Sequence, residues 1–188
     1  MNLPRLLGRV GLVLASRGPG CALSPRTAPP PAAKPLPYEV EFREICGDRW
    51  PRRWAQSKVE SAFNPRAVSP VGAKGLLQAM PKTWLWYVDM GWIDAGAFPF
   101  DPRPAINGGD HHMTWLEAYY HRDQRKAWGA FNAGQGTVNR AVRLAGSLGL
   151  MGRDAWMRAL PQISGKNAAE TLAYIPRIER AELLTEMK

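Results

Sequence analysis

Apolar residues recur along most of this chain at three- and four-residue spacing, the period of an amphipathic helix, and no strand pattern of any strength appears. Val40, Phe42, Ile45 and Cys46 predict a first helix from about Tyr38 to Gly47. Pro51 opens a second, since proline suits a first helical position, and Trp54, Ala55 and Val59 share one of its faces. The Asn64-Pro65 step stops it, because the residue before a proline is pushed out of the α region. Pro81 opens a third helix that runs to about Met90, with Gly91 as its stop. Gly96, Pro99, Pro102 and Pro104 predict a loop over 94–104. Beyond it, Met113, Leu116, Ala118, Tyr119 and Tyr120 mark a long helix, and Ala127, Trp128, Ala130 and Phe131 another over 123–134. Thr137 is the expected cap of a helix carrying Val138, Ala141, Val142 and Leu144. A last helix from Ala168 to Met187 sets Leu172, Ile175, Ile178, Ala181 and Leu184 on one stripe, with Pro176 expected to interrupt or kink it. The fold class is mainly α.

Residues 1–37 do not follow this pattern. Arg5 and Arg9 precede a short apolar run, Val10 to Ser16, and Pro29-Pro30-Pro31 begins a polyproline-like linker. Two readings fit: an export signal with Cys21 as a lipid acceptor, which would attach the protein to a membrane, or a disordered leader. The run is too short to span a bilayer. The expected division is therefore a leader, 1–37, and one folded domain, 38–188, acting as a monomer.

Charge changes the picture less than it first suggests. The net +9 includes five basic residues and no acid in 1–37, so 38–188 holds 20 basic against 16 acidic residues, or +4. A mildly basic domain suits an anionic cell envelope as well as DNA. The helix at Val138 offers only Arg140 and Arg143 to a DNA groove, so no nucleic-acid partner is expected. Two cysteines, Cys21 and Cys46, exclude a disulfide framework, and Cys46 is expected to be a small buried apolar residue. His111 and His112 are adjacent and point to different helix faces, so no metal site is expected; they and His121 are read as solvated or capping residues.

The segment from Glu60 to Trp84 carries the chemistry. Glu60 falls near the C-terminal end of its helix, where the macrodipole is negative, with Val59, Ala62 and Phe63 to desolvate it. Both effects favour the protonated carboxyl that a general acid requires. Gly72 and Gly75 allow tight turns and a close approach, and Gln78 brings a donor and an acceptor among Leu76, Leu77 and Met80, so a ligand-facing loop is predicted. No Asp or Glu occurs between Glu60 and Asp89.

The run E-S-x-F-N-P-x-A-x-S-x-x-G-A-x-G-L-x-Q-x-M-P-x-T from Glu60 to Thr83 resembles the first signature of the soluble lytic transglycosylases, members of the goose-type lysozyme superfamily that cleave peptidoglycan. Ala130 to Val138 is similar to that family's A-Y-N-A-G-x-G-x-V, with Phe131 in place of the tyrosine, and Glu170 to Ile175 to its E-T-x-x-Y-V. Ala105 to Gly109 is similar to the family's N-I-x-x-G but has Ala105 in place of the asparagine. The resemblance implies a lysozyme-like helical domain with a substrate groove and no cofactor, found in the periplasm or envelope or carried by a phage virion.

It also implies roles. Glu60 would be the single general acid and base on the bond between N-acetylmuramic acid and N-acetylglucosamine, closing a 1,6-anhydro ring. Ser69 and Gln78 would bond substrate or orient Glu60, and Met80 would pack over the sugars. Phe131 and Asn132 would line the groove, Glu170 would support its floor, and Tyr174 would reach toward Glu60. Of the aromatic cluster Trp84, Trp86, Tyr87 and Trp92, one or two members could stack on sugars, the rest serving the core. Rival readings are a hydrolytic lysozyme of the same superfamily and a non-catalytic wall-binding or virion module.

Overall fold

A computed structural model describes residues 35–187, so the predictions about Cys21 and the apolar run before it lie outside the described residues. Eight α-helices follow in order: α1 Glu39–Cys46, α2 Trp50–Ser61, α3 Pro81–Asp89, α4 Pro102–Tyr119, α5 Gln124–Ala133, α6 Gln135–Ser147, α7 Ala155–Ser164 and α8 Ala168–Glu186. Among the described residues extended pairing is limited to two isolated bridges, Val68 with Lys74 and Lys74 with Ala79.

The core forms around α2. Trp54 and Ala55 are almost wholly buried with Phe42 and Cys46 of α1, Ile106 and Met113 of α4, and Ile175 and Ile178 of α8. Each such large apolar side chain contributes about 1.5–3 kcal/mol on burial. Cys46 behaves as the small apolar residue expected, and burial first, then Asp110, pushes its thiol up to about 12. A buried ionic network adds direction: Arg53 of α2, 1% exposed, meets Asp110 at 2.9 Å and Glu117 at 2.7 Å on α4, and Arg49 also reaches Asp110 at 2.7 Å. These contacts fix the rotation of the helix that carries Glu60.

Several boundaries differ from expectation. Helix α4 begins at Pro102, inside the predicted loop, because Pro102 and Pro104 occupy a first turn where no backbone donor is needed. Helix α6 begins at Gln135, with Gly134 rather than Thr137 before its first turn. Helix α8 continues through Pro176, forgoing one ladder bond. Helix α7, with Trp156, Ala159 and Leu160 buried, had no counterpart in the sequence reading. Leu36 packs on the core and the Pro37 carbonyl accepts from Trp54 Nε1 at 2.9 Å, so residues assigned to the leader touch the domain. His112 is not solvated: it is largely enclosed, its Nδ1 lies 2.9 Å from Tyr87 Oη, and burial lowers its pKa to about 4.

Candidate active site

Glu60 is the penultimate residue of α2, which ends where Ala62 and Phe63 take positive φ ahead of Pro65. The chain from 62 to 80 then folds back onto α2. Ser61 Oγ donates to the Leu76 carbonyl at 2.9 Å and Ser57 Oγ to the same carbonyl at 3.3 Å. Ser61 therefore braces the loop and is not among the residues that line the groove beside Glu60. Gly75, at φ +78°, could not carry a side chain, since a Cβ would lie 1.9 Å from the Pro99 carbonyl oxygen. The close approach foreseen from its glycines is thus to the protein's own 92–101 connection. On the other side Gly109 of α4 leaves room for Leu77, whose Cδ1 would lie 2.3 Å from any added Cβ. Asn107 Nδ2 donates to the Trp92 carbonyl at 2.7 Å, anchoring the connection despite Ala105.

This packing leaves an open groove of about 380 Å³ with Glu60 in its wall. All eight residues singled out in the sequence border it: Glu60, Ser69, Gln78, Met80, Phe131, Asn132, Glu170 and Tyr174. Val59, expected beside Glu60, and Val71 and Ala73, within the predicted loop, line it as well; Arg177 also lines it and was not foreseen. Arg177 was legible in principle, standing three residues after Tyr174 on one helix.

Tyr174 Oη donates to Glu60 Oε1 at 2.5 Å. Burial raises the Glu60 carboxyl from 4.5 to about 7; the Tyr174 bond opposes the shift, Glu170 adds to it and Arg177 opposes it. Tyr174 itself is raised well above its ordinary value, by burial and then by Glu60, and so stays a donor. The carboxyl is thus half protonated near neutrality, able to give a proton and take one back.

The other residues divide into holders and braces. Ser69 Oγ accepts from the Ala73 amide at 3.0 Å, which leaves its own proton to donate. Gln78, at φ 47°, gives its amide nitrogen to the Gly75 and Ala67 carbonyls at 2.9 and 3.3 Å. Only its side-chain oxygen remains for a ligand, so its first effect is to hold the loop. Asn132 accepts from Thr171 Oγ1 at 2.7 Å and donates to Glu170 Oε1 at 3.3 Å, which fixes its amide and leaves one N–H over. Met80 is 41% exposed at the rim. Phe131 turns one side to the groove and packs the other near His112, ring centroids 5.0 Å apart. Trp84 and Tyr87 belong to the core, whereas Trp86 and Trp92 are only partly covered and do not border the groove.

Fold and groove define a helical domain holding a buried carboxyl of raised proton affinity over an open cleft with polar and aromatic walls, with the Glu170 carboxylate bordering the same cleft. A family profile described as the Transglycosylase SLT domain matches residues 55–150, and the chain belongs to that family. It is 31% identical over 150 residues to the soluble lytic murein transglycosylase of Escherichia coli K12, across 77% of this chain and 22% of that protein. A membrane-bound lytic murein transglycosylase F from Shewanella loihica is 31% identical over 121 residues, covering 60% of this chain and 24% of the relative. Among solved structures, the 70-kDa soluble lytic transglycosylase of Escherichia coli superimposes with a TM-score of 0.65 at 28% identity, over 79% of this chain and 24% of that one. The complex of the 70-kDa soluble lytic transglycosylase with bulgecin A gives 0.66 at 29%, with the same coverage. The mainly α, lysozyme-like architecture expected from the resemblance is the one observed. This chain spans about a quarter or less of the length of these relatives.

Proposed function

We propose that this domain is a lytic transglycosylase acting on peptidoglycan strands in the cell envelope, with Glu60 as its one acid and base. The carrying observation is the Glu60 carboxyl, raised by burial to about 7 and held by Tyr174. In the first step Glu60 protonates the glycosidic oxygen, the bond to C1 of the muramyl sugar breaks, and the muramyl N-acetyl oxygen bonds to C1. In the second, the C6 hydroxyl attacks C1, displaces the N-acetyl oxygen and returns its proton to Glu60, closing a 1,6-anhydro ring without water. Ser69, Gln78 and Asn132 offer polar contacts to the sugars, and Met80 and Phe131 offer apolar ones.

Glu170 favours one rival. Its carboxylate borders the same groove, and a second carboxylate could activate water in a hydrolytic lysozyme. Its bond to Asn132 gives it a bracing use instead. Mass spectrometry of fragments released from purified sacculi separates the two: anhydromuramyl ends are expected, and reducing ends alone would establish hydrolysis. Among the described residues no helix is long and apolar enough to cross a membrane. Attachment through residues 1–34 would show as membrane fractionation that Cys21→Ala abolishes.

A further inference from the structure

Gln56 stands one turn before Glu60 on α2, so the two side chains share a face of the helix. It is fully buried, at a position where an amide is costly and an apolar residue would serve the core. Among the described residues neither atom of that amide meets a partner at full hydrogen-bond geometry. The group it acts on is the Tyr174 hydroxyl, brought to this face by α8. Burial first, and then Glu60, raise the proton affinity of Tyr174, whereas Gln56 lowers it, as an N–H turned toward the phenolic oxygen does. That oxygen has room for the contact, since its one proton is committed to Glu60 Oε1 and its lone pairs are left to accept. The contact falls short of full geometry, and hydrogen bonds of a catalytic site commonly tighten once substrate is bound. The titratable groups that bear on Glu60 are Tyr174, Glu170 and Arg177, all on α8, and Tyr87 of α3 feels Glu60 in turn. Arg53, three residues before Gln56, is taken by Asp110 and Glu117 of α4.

We propose that Gln56 is a positioning residue for the acid: it donates to Tyr174, Tyr174 donates to Glu60, and this order keeps the Glu60 proton on Oε2. The inference rests on the reading of Glu60 as the acid and base of the groove. A phenol accepts as well as donates, so a protonated Glu60 beside a free Tyr174 oxygen can turn its proton onto that oxygen. A proton so placed is lost to the glycosidic bond. An amide N–H on the phenolic oxygen disfavours that arrangement. It also polarises the hydroxyl, which strengthens the bond from Tyr174 to Glu60 Oε1 and favours the carboxylate. Proton exchange with the sugars then runs through Oε2 in both steps.

The test replaces the amide by an apolar side chain of similar length, Gln56→Met, and follows Glu60 directly through the carbon NMR signal of its isotope-labelled carboxyl. Loss of a bond that supports the carboxylate should raise the Glu60 midpoint by about half a pH unit, less than Tyr174→Phe does. Turnover should fall about fivefold with KM within about twofold, because binding is untouched while fewer protonated molecules present their proton to the substrate. Neither change should appear when Gln56→Met is made on the Tyr174→Phe background, since the amide acts through the hydroxyl. A midpoint that stays or falls, or one that rises equally with the tyrosine already removed, overturns the proposal. Gln56→Leu gives the same comparison should the methionine variant not fold. In the native protein the side-chain amide signal of Gln56 should move as Glu60 titrates, and a signal indifferent to that titration also overturns it. If the native protein leaves sacculi intact while the midpoint rises only where Tyr174 is present, the chain of bonds stands and the reading of the groove falls. If it cleaves sacculi and Gln56→Met matches it in midpoint and turnover, the reading of the groove stands and the chain of bonds falls.

Discussion

Tyr174 Oη and Glu60 Oε1 meet at 2.5 Å although 114 positions separate the two residues in sequence. The contact exists because α8 lies along α2, bringing a tyrosine from near the chain's end onto a carboxyl at the end of the central helix. Burial alone would carry Glu60 higher, and the tyrosine holds it near neutrality. Removing the hydroxyl in Tyr174→Phe should therefore raise the Glu60 pKa further. An acid is active while protonated, so kcat/KM is expected to decline as pH rises through about 7. In Tyr174→Phe that decline should shift upward by about one pH unit. A shift downward, or none, would show that the bond does not stabilise the carboxylate.

Glu60→Gln keeps the shape and removes the titrating proton. Turnover is expected to fall roughly 10²- to 10⁴-fold while sacculus binding persists. The same variant should be more stable than the native protein at alkaline pH. A carboxyl raised from 4.5 to about 7 on folding contributes stability fully below 4.5, and that contribution is lost as pH rises through 7. Glutamine resembles the protonated state at every pH, so its advantage at pH 8 should approach about 3 kcal/mol and vanish near pH 4. Thermal melts at the two pH values measure it, and a constant difference would show that Glu60 does not change its proton affinity on folding.

Much of this site could be read from local signals. The Asn64-Pro65 break places Glu60 at a helix end, and the glycines and Gln78 mark the loop, because those effects act within a few residues. What acts through space could not be read. The close approach expected at Gly75 is made to Pro99, a partner that no local signal names. Helix α7 was missed although Trp156, Ala159 and Leu160 follow Asp154 at helical spacing, a signal of the same kind as that of α8, which also contains a proline. The start of α4 was hidden by Pro102 and Pro104, whose effect depends on whether they fall in a first turn. The pairing of α2 with α8 is specified by no periodicity, but once Tyr174 is set beside Glu60 the spacing of three residues brings Arg177 to the same groove.

The amino-terminal boundary yields a comparison of two shortened chains. One beginning at Pro35 is expected to fold and cleave as the full chain does. One beginning at Tyr38 loses the Leu36 packing and the Pro37 carbonyl that accepts from Trp54 Nε1. A buried indole left without its acceptor costs about 1–3 kcal/mol. The shorter chain should therefore melt several degrees lower. Equal melting temperatures would assign those contacts no energetic weight.

The ionic network behind α2 supplies the last prediction. Asp110 is 4% exposed and receives both Arg49 and Arg53, while Glu117 takes the rest of the Arg53 guanidinium. Asp110→Ala would leave Arg53 buried with half its partners, and breaking such a pair costs about 3–5 kcal/mol. The network sits almost two turns before Glu60 and touches neither the groove nor its lining. Its loss should appear as a lower denaturation midpoint, with kcat/KM changing less than about tenfold at temperatures where the variant stays folded. A second change, Arg53→Met on the Asp110→Ala background, should recover part of the loss by removing the stranded charge, because an apolar side chain of similar length fits a buried site better than an unpaired cation. If the double variant were less stable than the single one, the contacts of Arg53 with Glu117 would outweigh the cost of its burial.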